Sequence, residues 1–207
     1  MTLTAIIVRH GNTFAAGEPA RRIGARTDIP LVDSGRDQAR ALAAWFARGE
    51  PLDRILAGPL KRTQETAQII AAAQPRAIAI ETCDWLAEID HGPDENLTED
   101  GVLARIGTTA LDAWDRDAVA PDGWIVDAEG RMDAWRGVLG GAEGRIMIVT
   151  SNGAARFALL AHCRLMQQAR RLPSMKLRTG AWGQVTRDRT EFSLDAWDRR
   201  PEPACAG

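Results

Sequence analysis

The sequence predicts an α/β fold, a three-layer α/β/α sandwich on a mostly parallel sheet. Short, continuously apolar runs alternate with longer stretches of helical spacing, as strands buried on both faces alternate with covering helices. The first apolar run also leads straight into an imidazole and a guanidinium, and ligands of open α/β sheets bind at the carboxyl ends of strands.

The runs Leu3 to Val8, Leu52 to Leu56, Ala77 to Ile80 and Arg145 to Thr150 have the length and β-branched content of buried strands. Between them, Gly35 to Arg48 places Ala39, Leu42, Ala43 and Phe46 at three- and four-residue intervals, and Leu60 to Ala73 continues the helical pattern. Val102 to Trp114 and Asp127 to Val138 are two further Trp-bearing helices, separated by the breaker Pro121-Asp122-Gly123. The region from about 98 to 140 is either a helical insertion or lid over the site, or a pair of helices covering the sheet with Trp114 and Trp135 in the core. Periodic aromatics usually face a core, which favours the second. Ala154 to Leu165 is a single apolar helix. Trp182 to Val185 and Glu191 to Leu194 form a hairpin about Arg187-Asp188-Arg189, and the tail Pro201 to Gly207 frays.

A chain of 207 residues, 45% hydrophobic and 26% charged, suits a single domain spanning 1–207 with a full core. The net charge of -2 gives no general attraction to nucleic acid or anionic membranes, so any phosphate site must be local. Cys83, Cys163 and Cys205 are odd in number and widely spaced, which argues against a disulfide framework or a zinc site and for a reducing compartment. The N-terminal apolar run is too short for a signal peptide or a membrane span, so the expected location is cytoplasmic. The three histidines lack chelating spacing; neither a metal nor another cofactor is expected, and a homodimer is left open.

In Arg9-His10-Gly11-Asn12-Thr13, an imidazole with a near-neutral pKa offers a nucleophilic nitrogen, and the adjacent guanidinium suits a phosphate dianion. Gly11 permits close approach of backbone to ligand. A second strand-to-helix junction, Gly58-Pro59-Leu60-Lys61-Arg62, puts another guanidinium in a helix's first turn, where free N–H groups favour anions.

With these two junctions the sequence resembles the histidine phosphatase superfamily, which includes the cofactor-dependent phosphoglycerate mutases. The resemblance spans most of the chain. It rests on Val8 to Thr13, Gly24 to Leu31, Ser34 to Ala39, Gly58 to Ala67, Leu86 to Gly92 and Ile148 to Arg156. It implies a phosphoglycerate mutase-like fold, transient phosphorylation of His10, a phosphate clamp of Arg9 and Arg62, and a proton donor at Glu88, with Asp90 as a second candidate acid. Burial beside Leu86 and Ile89 is expected to raise the Glu88 pKa toward the protonated form.

Two positions depart from the family pattern. Asn152 stands where the family usually has a second histidine; an asparagine can donate to a phosphoryl oxygen but carries no positive charge. Asn12 stands where many relatives have glutamate or glutamine, and both asparagines are counted among the phosphate-binding candidates. Arg21, Arg22 and Arg26 could read a second anionic group, although a solvated loop is the simpler account. A packing or surface role is favoured for His91 and a structural one for His162. The expected function is metal-independent hydrolysis of small phosphate monoesters through phospho-His10. A phosphoglycerate-type phosphomutase and a phosphate-binding module disabled at Asn152 remain as alternatives.

Overall fold

The computed structural model describes residues 2–201. Its centre is a six-stranded sheet in the order β3-β2-β4-β1-β5-β6. β1 (Thr2–Arg9), β2 (Arg54–Ala57), β3 (Ile80–Thr82) and β4 (Gly144–Thr150) are mutually parallel. β5 (Trp182–Asp188) runs antiparallel to β1 and forms a hairpin with the edge strand β6 (Glu191–Arg199).

The continuous apolar runs have a direct cause. Along β1, Leu3, Ala5 and Ile7 face one core while Ile6 and Val8 face another, and β4 likewise divides Ile146 and Ile148 from Met147 and Val149. Each alternate side chain is buried, but on opposite faces. The smaller core lies under α1 (Asp33–Phe46) and α2 (Lys61–Ala72), which contribute Leu42, Phe46, Ala67 and Ile70. The larger core lies under α3 (Glu99–Asp117), α4 (Ala128–Gly141), α5 (Asn152–Leu160) and α6 (Cys163–Ala169).

Trp114 and Trp135 are both buried in the larger core. Trp135 meets Trp85 edge-on at 5.0 Å, and its Nε1–H donates to the Ala154 carbonyl at 3.2 Å. α3 is kinked at Gly107, whose φ of 76° is open to glycine without strain.

Three elements differ from the sequence expectation. The third strand is three residues, Ile80–Thr82, rather than Ala77 to Ile80, because it is a half-exposed edge strand with no second neighbour to enforce pairing along the whole run. β2 begins at Arg54 rather than Leu52. The expected helix Ala154 to Leu165 is two helices: His162 is extended, and its Nδ1 accepts the Arg164 N–H at 3.3 Å, capping α6. His162 also stacks on Phe192 at 4.4 Å, a structural role as expected.

The hairpin is longer than expected, and most of the tail, residues 202–207 with Cys205, lies outside the described residues. Among the described residues no helix is long and apolar enough to cross a membrane, and Cys83 and Cys163 are free thiols.

Because Trp135 is fully buried and carries a satisfied N–H, Trp135→Ala is expected to cost about 3–5 kcal/mol. A urea unfolding midpoint read against the native protein checks this.

Candidate active site

The parallel strands deliver their carboxyl ends to one edge of the sheet, and the loops there enclose a cavity of 830 Å³. Arg9 and His10 leave β1, Glu88 and His91 come from the loop after β3, and Asn152 opens α5 directly after β4. A second cavity of equal volume lies between α3 and α6. It shares only Asp115 with the first and contains neither His10 nor either proposed clamp arginine.

Two glycines set the first loop against α1. A Cβ on Gly11 would stand 2.2 Å from the Gly35 carbonyl oxygen, and one on Gly35 would stand 2.1 Å from that of Asn12. Only glycine at both positions allows this approach of backbone to backbone.

His10 is buried, and its Nδ1 lies 2.8 Å from the Gly11 carbonyl oxygen. A carbonyl only accepts, so Nδ1 carries the hydrogen and Nε2 the lone pair of the neutral ring. Burial, reinforced by the positive charges of Arg62 and Arg9, holds the His10 pKa well below its ordinary value despite the Gly11 hydrogen bond.

The guanidiniums are held by carbonyls. Arg9 Nη1 donates to Leu177 O at 2.7 Å; Arg62 donates from Nη1 to Thr27 O at 2.6 Å and from Nη2 to Gly24 O at 3.1 Å. Arg62 has no exposed surface, and the Nε–H groups of both arginines are buried without a partner among the described residues. Burial lowers both pKa values and Glu88 opposes the shift, which places this carboxylate in the field of both.

Glu88 itself departs from expectation. Burial does raise its pKa, but His91, the amides of Gly153 and Ile89, and Arg62 outweigh burial, and the net direction is downward. The Gly153 N–H at 3.1 Å and the Ile89 N–H at 2.9 Å bind its two oxygens, and Gly153 lies at the α5 N-terminus, where the helix dipole favours an anion. Glu88 is therefore a carboxylate in this pocket. Asp90 is engaged elsewhere, accepting from Arg26 Nε at 2.9 Å and from the Gly92 N–H.

Asn12 and Asn152 both line the cavity. Asn12 is fixed by Gln38, Ser34 and Thr179, and Asn152 Oδ1 accepts the Leu177 N–H at 2.8 Å. Arg21 and Arg22 reach the cavity wall, but Arg22 is bound by Glu99 at 2.5 Å, Arg21 lies 3.6 Å from Glu18, and Arg26 pairs with Asp90 outside the lining. His91 packs edge-on against Trp124 at 4.6 Å while also lining the cavity.

Sequence reasoning missed two supporting groups. Arg156 is fully buried, stacks 4.1 Å over Trp114, donates to its carbonyl at 2.5 Å and lies 3.9 Å from Asp115, bracing the cavity wall. Burial lowers its pKa to about 10, so it stays charged.

Glu95 is the second. It accepts from the Gly24 N–H at 2.8 Å and the Thr27 hydroxyl at 2.7 Å, the two residues whose carbonyls grip Arg62. Its place four residues beyond His91 was the available signal, but the loop has no periodicity to show where a carboxylate points.

Among the described residues, no group of three or more His, Cys, Asp or Glu side chains could hold a metal ion.

The cavity thus brings a buried histidine at a strand's carboxyl end together with the Arg9 guanidinium and the Glu88 carboxylate, an arrangement whose chemistry suits an anionic ligand. The chain belongs to the histidine phosphatase superfamily (branch 1), whose family model matches residues 5–200. It is 40% identical over 67 residues to phosphoglycerate mutase-like protein 4 of Arabidopsis thaliana, a match covering 32% of this chain and 28% of that protein. The chain spans less than two thirds of the length of such curated relatives.

Its fold matches that of a mycobacterial glucosyl-3-phosphoglycerate phosphatase with a TM-score of 0.74 and 23% identity, covering 96% of this chain and 99% of that one. The alpha-ribazole phosphatase of Shigella flexneri matches with a TM-score of 0.71 and 19% identity, over 97% and 98% of the two chains.

The Glu95 carboxyl is raised by burial but lowered more by the His91 ring, the Thr27 hydroxyl and the Gly24 and His91 amides, and lies at about 2 against an ordinary 4.5. A depressed carboxyl stabilises the fold above its unfolded pKa and loses that contribution as pH falls toward the folded one. This contribution is therefore intact above about pH 5 and lost toward pH 2, with an upper size on the order of 3 kcal/mol. Glu95→Gln is expected to flatten that part of the stability profile, measured by urea unfolding between pH 7 and pH 3.

Proposed function

We propose that the chain is a metal-independent phosphomonoester hydrolase of small phosphorylated metabolites, working through phospho-His10. The observation that carries this reading is the His10 ring itself: neutral, fixed through Nδ1 on Gly11 O, and buried in the field of Arg9 and Arg62. A protonated imidazole could not attack phosphorus; one whose proton affinity is depressed stays available well into the acid range.

In the first step Nε2 attacks phosphorus, the P–N bond forms, and the bond to the leaving oxygen breaks as that oxygen takes a proton from Glu88. In the second, water attacks phosphorus, gives a proton to the Glu88 carboxylate, and the P–N bond breaks to release phosphate and neutral His10. From the cavity wall Arg9 offsets charge on the phosphoryl oxygens and Asn12 supplies a neutral contact, while Arg62, fully buried and not among the cavity-lining residues, adds its positive field.

Glu88 begins as a carboxylate, so the proton it donates is taken up when a phosphate dianion arrives beside it. An added negative charge raises a carboxyl pKa. Ligand binding is thus coupled to proton uptake.

The mutase alternative requires the phosphoryl group to pass to a second alcohol, and the relatives named as mutase-like keep it open. Phosphate release from a panel of phosphomonoesters with chelator present tests the proposal. His10→Ala is expected to lose at least about 10³-fold in turnover, and native protein is expected to carry an acid-labile phosphoryl label. Transfer to an added alcohol instead of water would establish the mutase; tight phosphate binding with neither release nor label would establish a binding module.

A further inference from the structure

We infer that Asn152 is a positioning residue for Arg9, acting through the backbone of Leu177. This rests on the reading of the pocket as a phosphate site and extends it to an asparagine on the cavity wall.

The geometry is a relay. Asn152 Oδ1 accepts the Leu177 N–H at 2.8 Å, and the Leu177 carbonyl accepts Arg9 Nη1 at 2.7 Å. Leu177 is fully buried, so its backbone has little freedom to decouple the two bonds. The segment that carries it is stapled to the nucleophile loop at three further points. The Thr179 hydroxyl donates to Asn12 Oδ1, the Gly180 N–H to His10 O at 3.1 Å, and the Arg9 N–H to Ala181 O at 3.0 Å. Asn152 ties this strap to the first turn of α5, whose next residue, Gly153, holds Glu88.

A Leu177 N–H can only donate, so residue 152 must offer an acceptor. The amide oxygen of asparagine does so at every pH. An imidazole does so only when neutral and in one tautomer, and a protonated one would turn a donor toward a donor. Asparagine therefore fixes Arg9 without adding a titrating group or a further cation beside His10. On this account Asn152→His lowers activity.

A double-mutant cycle on the affinity for inorganic phosphate, measured by calorimetry, is the test. Asn152→Ala is expected to weaken binding about five- to tenfold, the worth of one lost hydrogen bond, but less than twofold when Arg9→Ala is already present. Equal losses in both backgrounds, or no loss in the native one, overturn the inference.

A second readout does not depend on phosphate. In Asn152→Ala the Leu177 amide is expected to lose exchange protection and the Arg9 Nε–H resonance to shift, whereas Asn152→Asp, which keeps the acceptor, retains the protection. An unchanged Arg9 resonance in Asn152→Ala overturns the inference even if the native protein binds no phosphate. Absence of phosphate binding alone counts against the phosphate-site reading and leaves the relay to be decided by the resonance.

Discussion

Arg62 has no solvent-exposed surface, and among the described residues no carboxylate lies within ion-pair distance of it or of Arg9. A buried charge without compensation costs several kcal/mol, and a guanidinium cannot escape by losing its proton. The compensation comes from peptide carbonyls: Thr27 and Gly24 for Arg62, Leu177 for Arg9. Two segments far apart in sequence, the loop of residues 24–27 and the strap at Leu177, must therefore converge beside β1 and α2. Much of the loop structure at this sheet edge follows from that requirement. Gly24 is one case, because a Cβ there would stand 2.4 Å from Glu95 Oε2 and 2.4 Å from the Ile89 carbonyl oxygen.

Burial and the neighbouring cations together shape the titration pattern. Burial, with Arg62 and Arg9 adding to it, lowers the proton affinity of His10, while His91, the Gly153 and Ile89 amides and Arg62 hold Glu88 ionised against the opposing effect of burial. The sequence expectation for Glu88 considered its apolar neighbours Leu86 and Ile89 and inferred an upward shift. Those neighbours are indeed buried. What the local sequence could not display was the α5 N-terminus arriving from 65 residues away to donate the Gly153 N–H. Desolvation is a property of adjacent side chains and can be guessed from them, whereas oriented backbone donors are a property of tertiary structure.

This distinction separates what was legible from what was not. The strands β1 and β4 were legible because burial on both faces leaves an uninterrupted apolar run, and the loops after β1 and before α2 were legible because reactive side chains sit at element junctions. β3 was displaced because an edge strand is only weakly specified by its own residues, and the break at His162 was hidden because Ala154 to Leu165 is apolar on either side of it. Of the side chains named from sequence, His10, Arg9, Glu88, Asn12 and Asn152 come together around one cavity, whereas Arg62 is fully buried and does not line it. Their holders could not be named, since Leu177, Thr27 and Gly24 act through carbonyls that every residue possesses.

The neutral residue at 152 fits this electrostatic arrangement. A charged imidazole there would add one more positive group to a pocket already rich in buried guanidinium, lowering the proton affinity of His10 further and leaving the Leu177 N–H without an acceptor. In the proposed reaction phosphate must bind while His10 remains neutral; Arg9 lines the cavity, and burial together with the charges of Arg62 and Arg9 keeps the His10 pKa low. Arg9 has a long side chain that would lose rotamer entropy on engaging a ligand unless it were held beforehand. Asn152 meets that need through Leu177. An asparagine here is therefore compatible with the proposed phosphoryl transfer, with preorganisation of one guanidinium serving in place of an additional charge.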